Sequence, residues 1–410
     1  MPNIIPACSR NFQRSLHSTT STLPSLTTGR TLREHFERRG KLAPWRVKRA
    51  IGHLEQQMSM KTTDDDMSRF QGVLASLRIY RVPQLLASIR KSLQASADQD
   101  VCTTEFLAIS VEACKVVLPS LFGSYHLVYV LELGEELRLN LEVPATGYPN
   151  RFDDGATQAL GSEALTMRLI QQKTSIPVPK VYHFDTSFDN ELKCPYILME
   201  YIGGFSCFNR WFDKSCEAQL LEDRHKRILE ELAKGMLQLD QFSYELAGAP
   251  LYDQSGQPAG MGPIRKEDTE ALLKRLEQDD PDTSPVLQEF GPFSDPAAFF
   301  LCMLNHRDTP TEPYGRGIYM VLRLFIEWTP FEPPSGAPKF VLSHPDFNLQ
   351  NIIVSEDGAL AGIIDWDGVA AVPYCIGNIR YPSWLTRDWD TMKYGFGRES
   401  AHGSLPEDSP

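Results

Sequence analysis

The stretch from Phe340 to Asp367, FVLSHPDFNLQNIIVSEDGALAGIIDWD, constrains this 410-residue chain more than any other segment. Two apolar runs, Ile352–Val354 and Leu360–Ile364, flank the sequence SEDG, so the segment reads as a short hairpin turning at Asp357-Gly358. Residues paired across that turn have numbers summing to about 715, which sets Asn351 across from Ile364 and beside Asp365. Asp346 lies in the loop entering the same hairpin. Three oxygen-bearing side chains therefore converge at one end, although they span twenty positions of sequence.

Such a convergence suits a hard cation. Mg²⁺ prefers one or two carboxylate or amide oxygens, with water and phosphate oxygens completing its shell. A further carboxylate beside it can orient a hydroxyl as general base. The arrangement is that of phosphoryl transfer in outline.

The rest of the chain supplies a frame for that hairpin. From Met67 to Leu93 apolar residues recur at helical spacing, with Pro83 expected to separate two short helices. From Leu121 the texture turns to two β-rich runs joined at Gly134, preceded by a turn at Gly123 and Ser124. A helix containing Leu160, Ala164, Met167 and Ile170 follows, then strands at Lys180–Phe184 and Tyr196–Ile202, an order of strand, strand, helix, strand, strand. After Gly203 the chain reads as mainly helical, notably His225–Leu239 and Tyr319–Trp328. The organisation expected is a basic extension over 1–61, a β-rich lobe with preceding helices over 62–202, a helical lobe over 203–397 and a disordered polar tail over 398–410.

His344-Pro-Asp346-x4-Asn351 has the spacing of the kinase catalytic loop HxDxxxxN, and Asp365 matches the second metal-binding aspartate. With the IDWD form and the segments GSYxxVY, SEALTMRLI, IPVPKV and PYILMEYI, the chain resembles the aminoglycoside phosphotransferase and choline kinase superfamily from about Leu121 to Trp389. The resemblance implies a protein-kinase-like, two-lobed α+β fold, with ATP and Mg²⁺ as cofactors and a small-molecule hydroxyl as acceptor. On that likeness Asp346 is the catalytic base and Asn351 and Asp365 hold Mg²⁺, with His344 as structural support. Gly123 and Ser124 form the turn over the phosphates, Glu163 is the helix glutamate that holds a basic residue of the third strand, and Glu200, Tyr201 and Ile202 form the hinge that meets adenine.

One position departs from this pattern. In relatives the third strand ends in a basic residue, a small apolar residue and proline, and here it reads Glu142-Val143-Pro144. Glu142 would confront Glu163 instead of pairing with it, and two nearby carboxylates repel or force one to take a proton. Arg138 shares the face of Glu142 but stands about 13 Å away along a strand. A kinase using another cation, a nucleotide binder with poor turnover, and a scaffold that keeps only the fold are the outcomes this leaves open.

Charge limits the partners. Residues 1–61 hold eleven Lys/Arg against three Asp/Glu, and the remainder thirty against fifty, so a basic tail joins an acidic body. An acidic body argues against general nucleic-acid binding, which relies on basic side chains at phosphates. The run Glu267, Asp268, Glu270, Glu277, Asp279, Asp280 and Asp282 would favour a cationic acceptor. No apolar run approaches the length of a membrane span. Eight cysteines without a CxxC pair indicate reduced thiols rather than zinc or disulfides. Residues 1–33 contain no Asp or Glu and are rich in Arg, Ser and Thr, the composition of an organellar presequence, so a mitochondrial location stands beside a cytoplasmic one.

Overall fold

Alternation builds the first sheet. Leu127, Tyr129, Leu131 and Leu133 are buried along one run, as are Leu139, Leu141 and Val143 along the next, the period-two pattern of strands with one face on a core. The computed structural model describes residues 69–385, apart from 96–100, 109–110, 112–113, 124, 135–136, 214, 269–270, 273, 276–285, 307–309 and 383. The extension 1–61, the tail 398–410, Ser124 and all of the acidic run after Asp268 lie outside the described residues. Nearly all described positions belong to one compact unit, Phe70–Glu267 with Leu287 onward; the other unit, Met1–Arg69 with Asp268–Val286, has few.

Three helices come first: α1 (Gln71–Ser76), α2 (Val82–Ala95) and α3 (Val101–Ala108). Pro83 sits in the first turn of α2, not between helices as expected. There its missing N–H has no intrahelical partner to lose, and the break falls earlier, where Leu77 is extended and Ile79–Arg81 form a 3₁₀ turn. Strands β1 (Cys114–Phe122), β2 (His126–Leu133) and β3 (Leu137–Pro144) follow, then the long helix α4 (Asp154–Lys173), β4 (Val181–Asp185) and β5 (Tyr196–Glu200). The strands make an antiparallel sheet in the order β1-β2-β3-β5-β4. Strand β1 was not expected. It holds Pro119, which breaks a strand pattern, and the structure accommodates that proline on the edge strand within a register shift between Val117 and Leu121.

The two faces of this sheet do different work. Leu127, Leu131, Leu139 and Leu141 pack with Phe70, Val73, Leu85 and Leu86 from the N-terminal helices, each buried side chain contributing about 1.5–3 kcal/mol. The opposite face of β2 and β3, with His126, Val128 and Glu142, is left for the site. Helix α4 belongs to a second core, in which Leu160, Ala164, Met167 and Ile170 meet Ile228, Leu342, Ile352 and Trp366.

The remaining elements are β6 (Phe205–Ser206), α5 (Cys207–Trp211), α6 (Ala218–Leu237), β7 (Ser243–Tyr244), β8 (Ala249–Tyr252), β9 (Pro258–Gly262), β10 (Ile264–Glu267), β11 (Leu287–Phe290), α7 (Pro296–Asn305), α8 (Pro313–Trp328), β12 (Phe340–Ser343), β13 (Ile352–Val354), β14 (Leu360–Ile363) and β15 (Ala370–Pro373). The helices expected here are present. Strands β13 and β14 form the hairpin read from the sequence, whereas strands of two to four residues such as β6, β7, β10, β11, β12 and β15 are too brief for alternation to register in sequence. Among the described residues no helix is long and apolar enough to cross a membrane.

Candidate active site

The catalytic-loop hairpin forms as its sequence predicts. Ile352 pairs with Ile363 and Ile353 with Gly362, and the Ile364 N–H donates to the Asn351 carbonyl at 2.9 Å. Asn351, itself buried, donates its Nδ2 to the Asp346 backbone carbonyl at 2.9 Å and to Asp346 Oδ2 at 3.1 Å. With its nitrogen so committed, the carbonyl oxygen is the atom this amide can offer a cation. Asn348 Nδ2 donates to the other Asp346 oxygen. Burial holds the Asp346 carboxyl above its ordinary pKa, and the bonds from Asn351 and Asn348 pull it partly back.

His344 and Trp366 brace this loop. His344 Nδ1 accepts the Asp346 N–H at 3.2 Å and Nε2 donates to the Ile364 carbonyl at 3.0 Å, which defines a neutral ring. Burial lowers its pKa to about 4 against the opposing pull of those two backbone bonds. Trp366 is fully buried, donates its indole N–H to Ile363 at 2.9 Å and meets the His344 ring edge-on at 4.6 Å. Between them Asp365 adopts a left-handed backbone, φ 66°, a conformation that aspartate tolerates better than most residues. Asp365 stands at a solvent-open position, where water screens part of its interactions. Its carboxyl is nonetheless raised, first by the protein packed around it and then by Glu142 and Asp367.

Above this floor the charge differs from the usual pattern. Glu142 lies 3.4 Å from His126 Nδ1, a contact that follows from the β2–β3 register, in which His126 faces Pro144 and Val128 faces Glu142. Burial lowers the His126 pKa, but Glu142, Asp367 and Asp365 outweigh it and the net shift is upward. Glu142 is also raised, by burial first and Asp367 besides, with His126 opposing. Glu163, only 3% exposed, is held well above the ordinary carboxylate range by burial and then by Glu142, Asp367 and Asp365. Neither Glu142 nor Glu163 has a Lys or Arg partner among the described residues. Arg138 instead pairs with Glu132 at 3.0 Å.

Helix α4 presents Glu163 from a fixed position. Asp153 caps it by accepting the Ala156 N–H at 2.7 Å and also takes Arg265 Nη1 at 2.7 Å. Ser162 donates to the Pro250 carbonyl at 2.6 Å, and the hydroxyls of Thr166 and Tyr252 bond at 2.8 Å. The helix is thus tied to the β8–β11 hairpins on either side of Glu163.

The structure brings Asp346, Asn351, Asp365 and Glu163 into one group. Gly123 is exposed, and its N–H closes a turn by donating to the His126 carbonyl at 2.9 Å. Glu200 and Tyr201 have their N–H groups committed to the Lys180 and Arg138 carbonyls, and with Ile202 they line a cleft of about 490 Å³ beside Ile176, Val178 and Lys180. That cleft is lined by none of the clustered carboxylates. His126, Asp367 and Asn348 were not singled out from sequence. The first was legible in the hairpin register about Gly134, and the second stands two residues beyond Asp365.

A five-stranded antiparallel sheet with one helix behind it, followed by a part carrying the HxDxxxxN hairpin, defines the protein-kinase-like phosphotransferase fold. Residues 149–373, more than half of the chain, match the model of the phosphotransferase enzyme family, and the chain belongs to that family. The match begins just after β3, so Glu142 and His126 lie ahead of it. Altered inheritance of mitochondria protein 9, mitochondrial, of Clavispora lusitaniae is 23% identical over 167 residues, 41% of this chain and 27% of the relative. A subtelomeric hrmA-associated cluster protein of Aspergillus fumigatus is 24% identical over 318 residues, 65% of this chain and 60% of the relative. The chain therefore spans less than two thirds of the length of these relatives. The macrolide 2'-phosphotransferase of Brachybacterium faecium is a similar solved structure, 11% identical with a TM-score of 0.35, over 65% of this chain and 69% of that one.

Proposed function

We propose that this chain is an ATP- and Mg²⁺-dependent phosphotransferase acting on the hydroxyl of a small molecule. The observation that carries the reading is the bonding of Asn351 to Asp346 at 3.1 Å, beside Asp365. An amide oxygen and a carboxylate are the donors a hard cation takes, so Asn351 and Asp365 fit Mg²⁺. Bound there, Mg²⁺ would offset charge on the nucleotide phosphates. Asp346 would accept the acceptor's hydroxyl proton on one carboxylate oxygen while its bonds to Asn348 and Asn351 hold the group in place. His344, neutral and bonded at both nitrogens, keeps the loop backbone in register with Asp365. For ATP itself the fit is uneven. Glu200, Tyr201 and Ile202 supply a hinge-like segment for adenine, whereas Glu142 and Glu163 bring negative charge toward the phosphates.

The test is ATP consumption by the purified chain against a panel of small alcohols, amino alcohols and amino sugars included. Consumption should require Mg²⁺ and vanish in Asp346→Ala; turnover that survives this change would sink the assignment. The acids Glu142 and Glu163, without a Lys or Arg partner among the described residues, favour a second reading, a nucleotide binder with little turnover. It predicts stabilisation by Mg-ATP with no product from any acceptor. A mitochondrial location is proposed from the acid-free, Arg-rich residues 1–33 and from the name of the Clavispora relative. A fluorescent fusion lacking those residues should lose it.

A further inference from the structure

We propose that His126, Glu163 and Asp367 form a binding site for a divalent transition-metal ion, separate from Asn351 and Asp365, at the place where the third strand carries Glu142 instead of a basic residue. One ligating atom from each of the three lies within 4.8 Å of the others. Ligands held about 2.1 Å from one tetrahedral ion stand about 3.4 Å apart, so an ion binding all three would draw these side chains together by up to about 1.4 Å.

Glu163 is an independent pointer to a cation at this place. It is 3% exposed, its carboxylate is aimed into this cluster, and among the described residues it has neither a hydrogen bond nor an ion pair. A buried carboxylate without a donor is costly, and a cation removes that cost. It is also held in place, because the bonds of Ser162 and Thr166 to β8 fix the turn of α4 that presents it.

His126 decides the class of ion. It is 9% exposed, and Glu142 stands 3.4 Å from its Nδ1. A carboxylate on one ring nitrogen is the arrangement that orients ligating imidazoles and leaves the other nitrogen its lone pair. One imidazole with two carboxylates suits a first-row dication such as Mn²⁺ or Zn²⁺, whereas Mg²⁺ takes oxygen and keeps its waters. The ion would restore positive charge between Glu142 and Glu163. That role beside the phosphates rests on the phosphotransferase reading, but the site does not, because it is measured without nucleotide.

The experiment is a titration of the chelator-stripped full chain with Mn²⁺ alone, followed by pulsed electron paramagnetic resonance. The expected result is bound Mn²⁺ with nitrogen coupling from an imidazole, lost in His126→Gln while circular dichroism stays unchanged. Glu163→Gln should weaken binding at least about tenfold. Ions held only by Asn351 and Asp365 would have oxygen ligands and no such coupling. No binding up to about 1 mM Mn²⁺, a spectrum without nitrogen coupling, or coupling that survives His126→Gln would overturn the proposal. Should His126→Gln fail to fold, Glu163→Gln decides: unchanged affinity overturns the site, and weakened binding supports it. Loss of phosphotransfer alone would bear on the proposed function and leave this site standing.

Discussion

Two hairpins deliver carboxylates to one site, and they treat them differently. In the hairpin of β13 and β14, Asp346 is bonded by Asn348 and Asn351, and His344 and Trp366 fill the space behind it. In the hairpin of β2 and β3, among the described residues, Glu142 pairs only with His126 and Glu163 below it has no hydrogen bond or ion pair. The first lies inside the stretch that matches the family, and the second precedes it. The contrast separates two jobs that phosphoryl transfer requires. On the proposed reading, one hairpin would position the acceptor and the metal, while the other would set the charge toward the phosphates, acidic here where the family pattern is basic.

The comparison breaks most sharply at Asp346. Replacing it with alanine should lower phosphotransfer by about 10³ while the nucleotide-induced thermal shift persists; a lost shift would mean that the hairpin supports binding as well as chemistry. Next in size is Trp366→Ala, which should cost about 3–5 kcal/mol of stability in denaturant unfolding, because the ring is fully buried behind the loop. A cost below about 1 kcal/mol would show that the hairpin keeps its shape without that packing.

Glu142→Arg tests the other hairpin. A guanidinium there would pair with Glu163 and face the phosphates, so ATP affinity of the metal-free protein should rise about tenfold. Unchanged affinity would mean that this face of β3 does not look toward the nucleotide.

The smallest effect is a pH dependence. Glu163 has its folded pKa raised above the ordinary 4.5 by burial, then Glu142, Asp367 and Asp365. Its contribution to stability is therefore fully present below about 4.5 and is lost as pH rises through the folded value. His344, lowered to about 4, acts in the opposite direction, since protonation of the unfolded ring is gained as pH falls below its ordinary 6.5. The difference between Glu163→Gln and the parent isolates the first effect. In chelator-stripped protein the variant should melt about 2–4 °C higher at pH 8, with the gap narrowing toward pH 5. A constant gap would show that Glu163 does not titrate across this range.

Much of the first hairpin was legible in the sequence because its signals are local. A turn at Asp357-Gly358 and two short apolar runs give a register, and the register alone sets Asn351 beside Ile364. The helix of Glu163 and strands β4 and β5 were legible for the same reason. Strand β1 was not, since Pro119 interrupts its pattern and only an edge position accommodates it. The other short strands after Gly203, β6, β7, β10, β11, β12 and β15, escaped because two to four residues carry no period. Of the candidate site, Asp346, Asn351, Asp365 and Glu163 come together, while Gly123 and the hinge residues stand outside that group of contacts.

What the sequence determined by itself is a hairpin that gathers two carboxylates and an amide at one end, and a third strand that ends in an acid where the family pattern has a basic residue. Both follow from residues close in the chain, where turn chemistry and strand register leave little freedom. What the tertiary structure decided is the company of Glu142. His126 reaches it from the neighbouring strand, Glu163 from a helix tied to the β8–β11 hairpins, and Asp367 from the far side of the Trp366 anchor. Whether a buried carboxylate is paired, protonated or a ligand depends on charges a few ångströms away in space, and no spacing in the sequence encodes that distance.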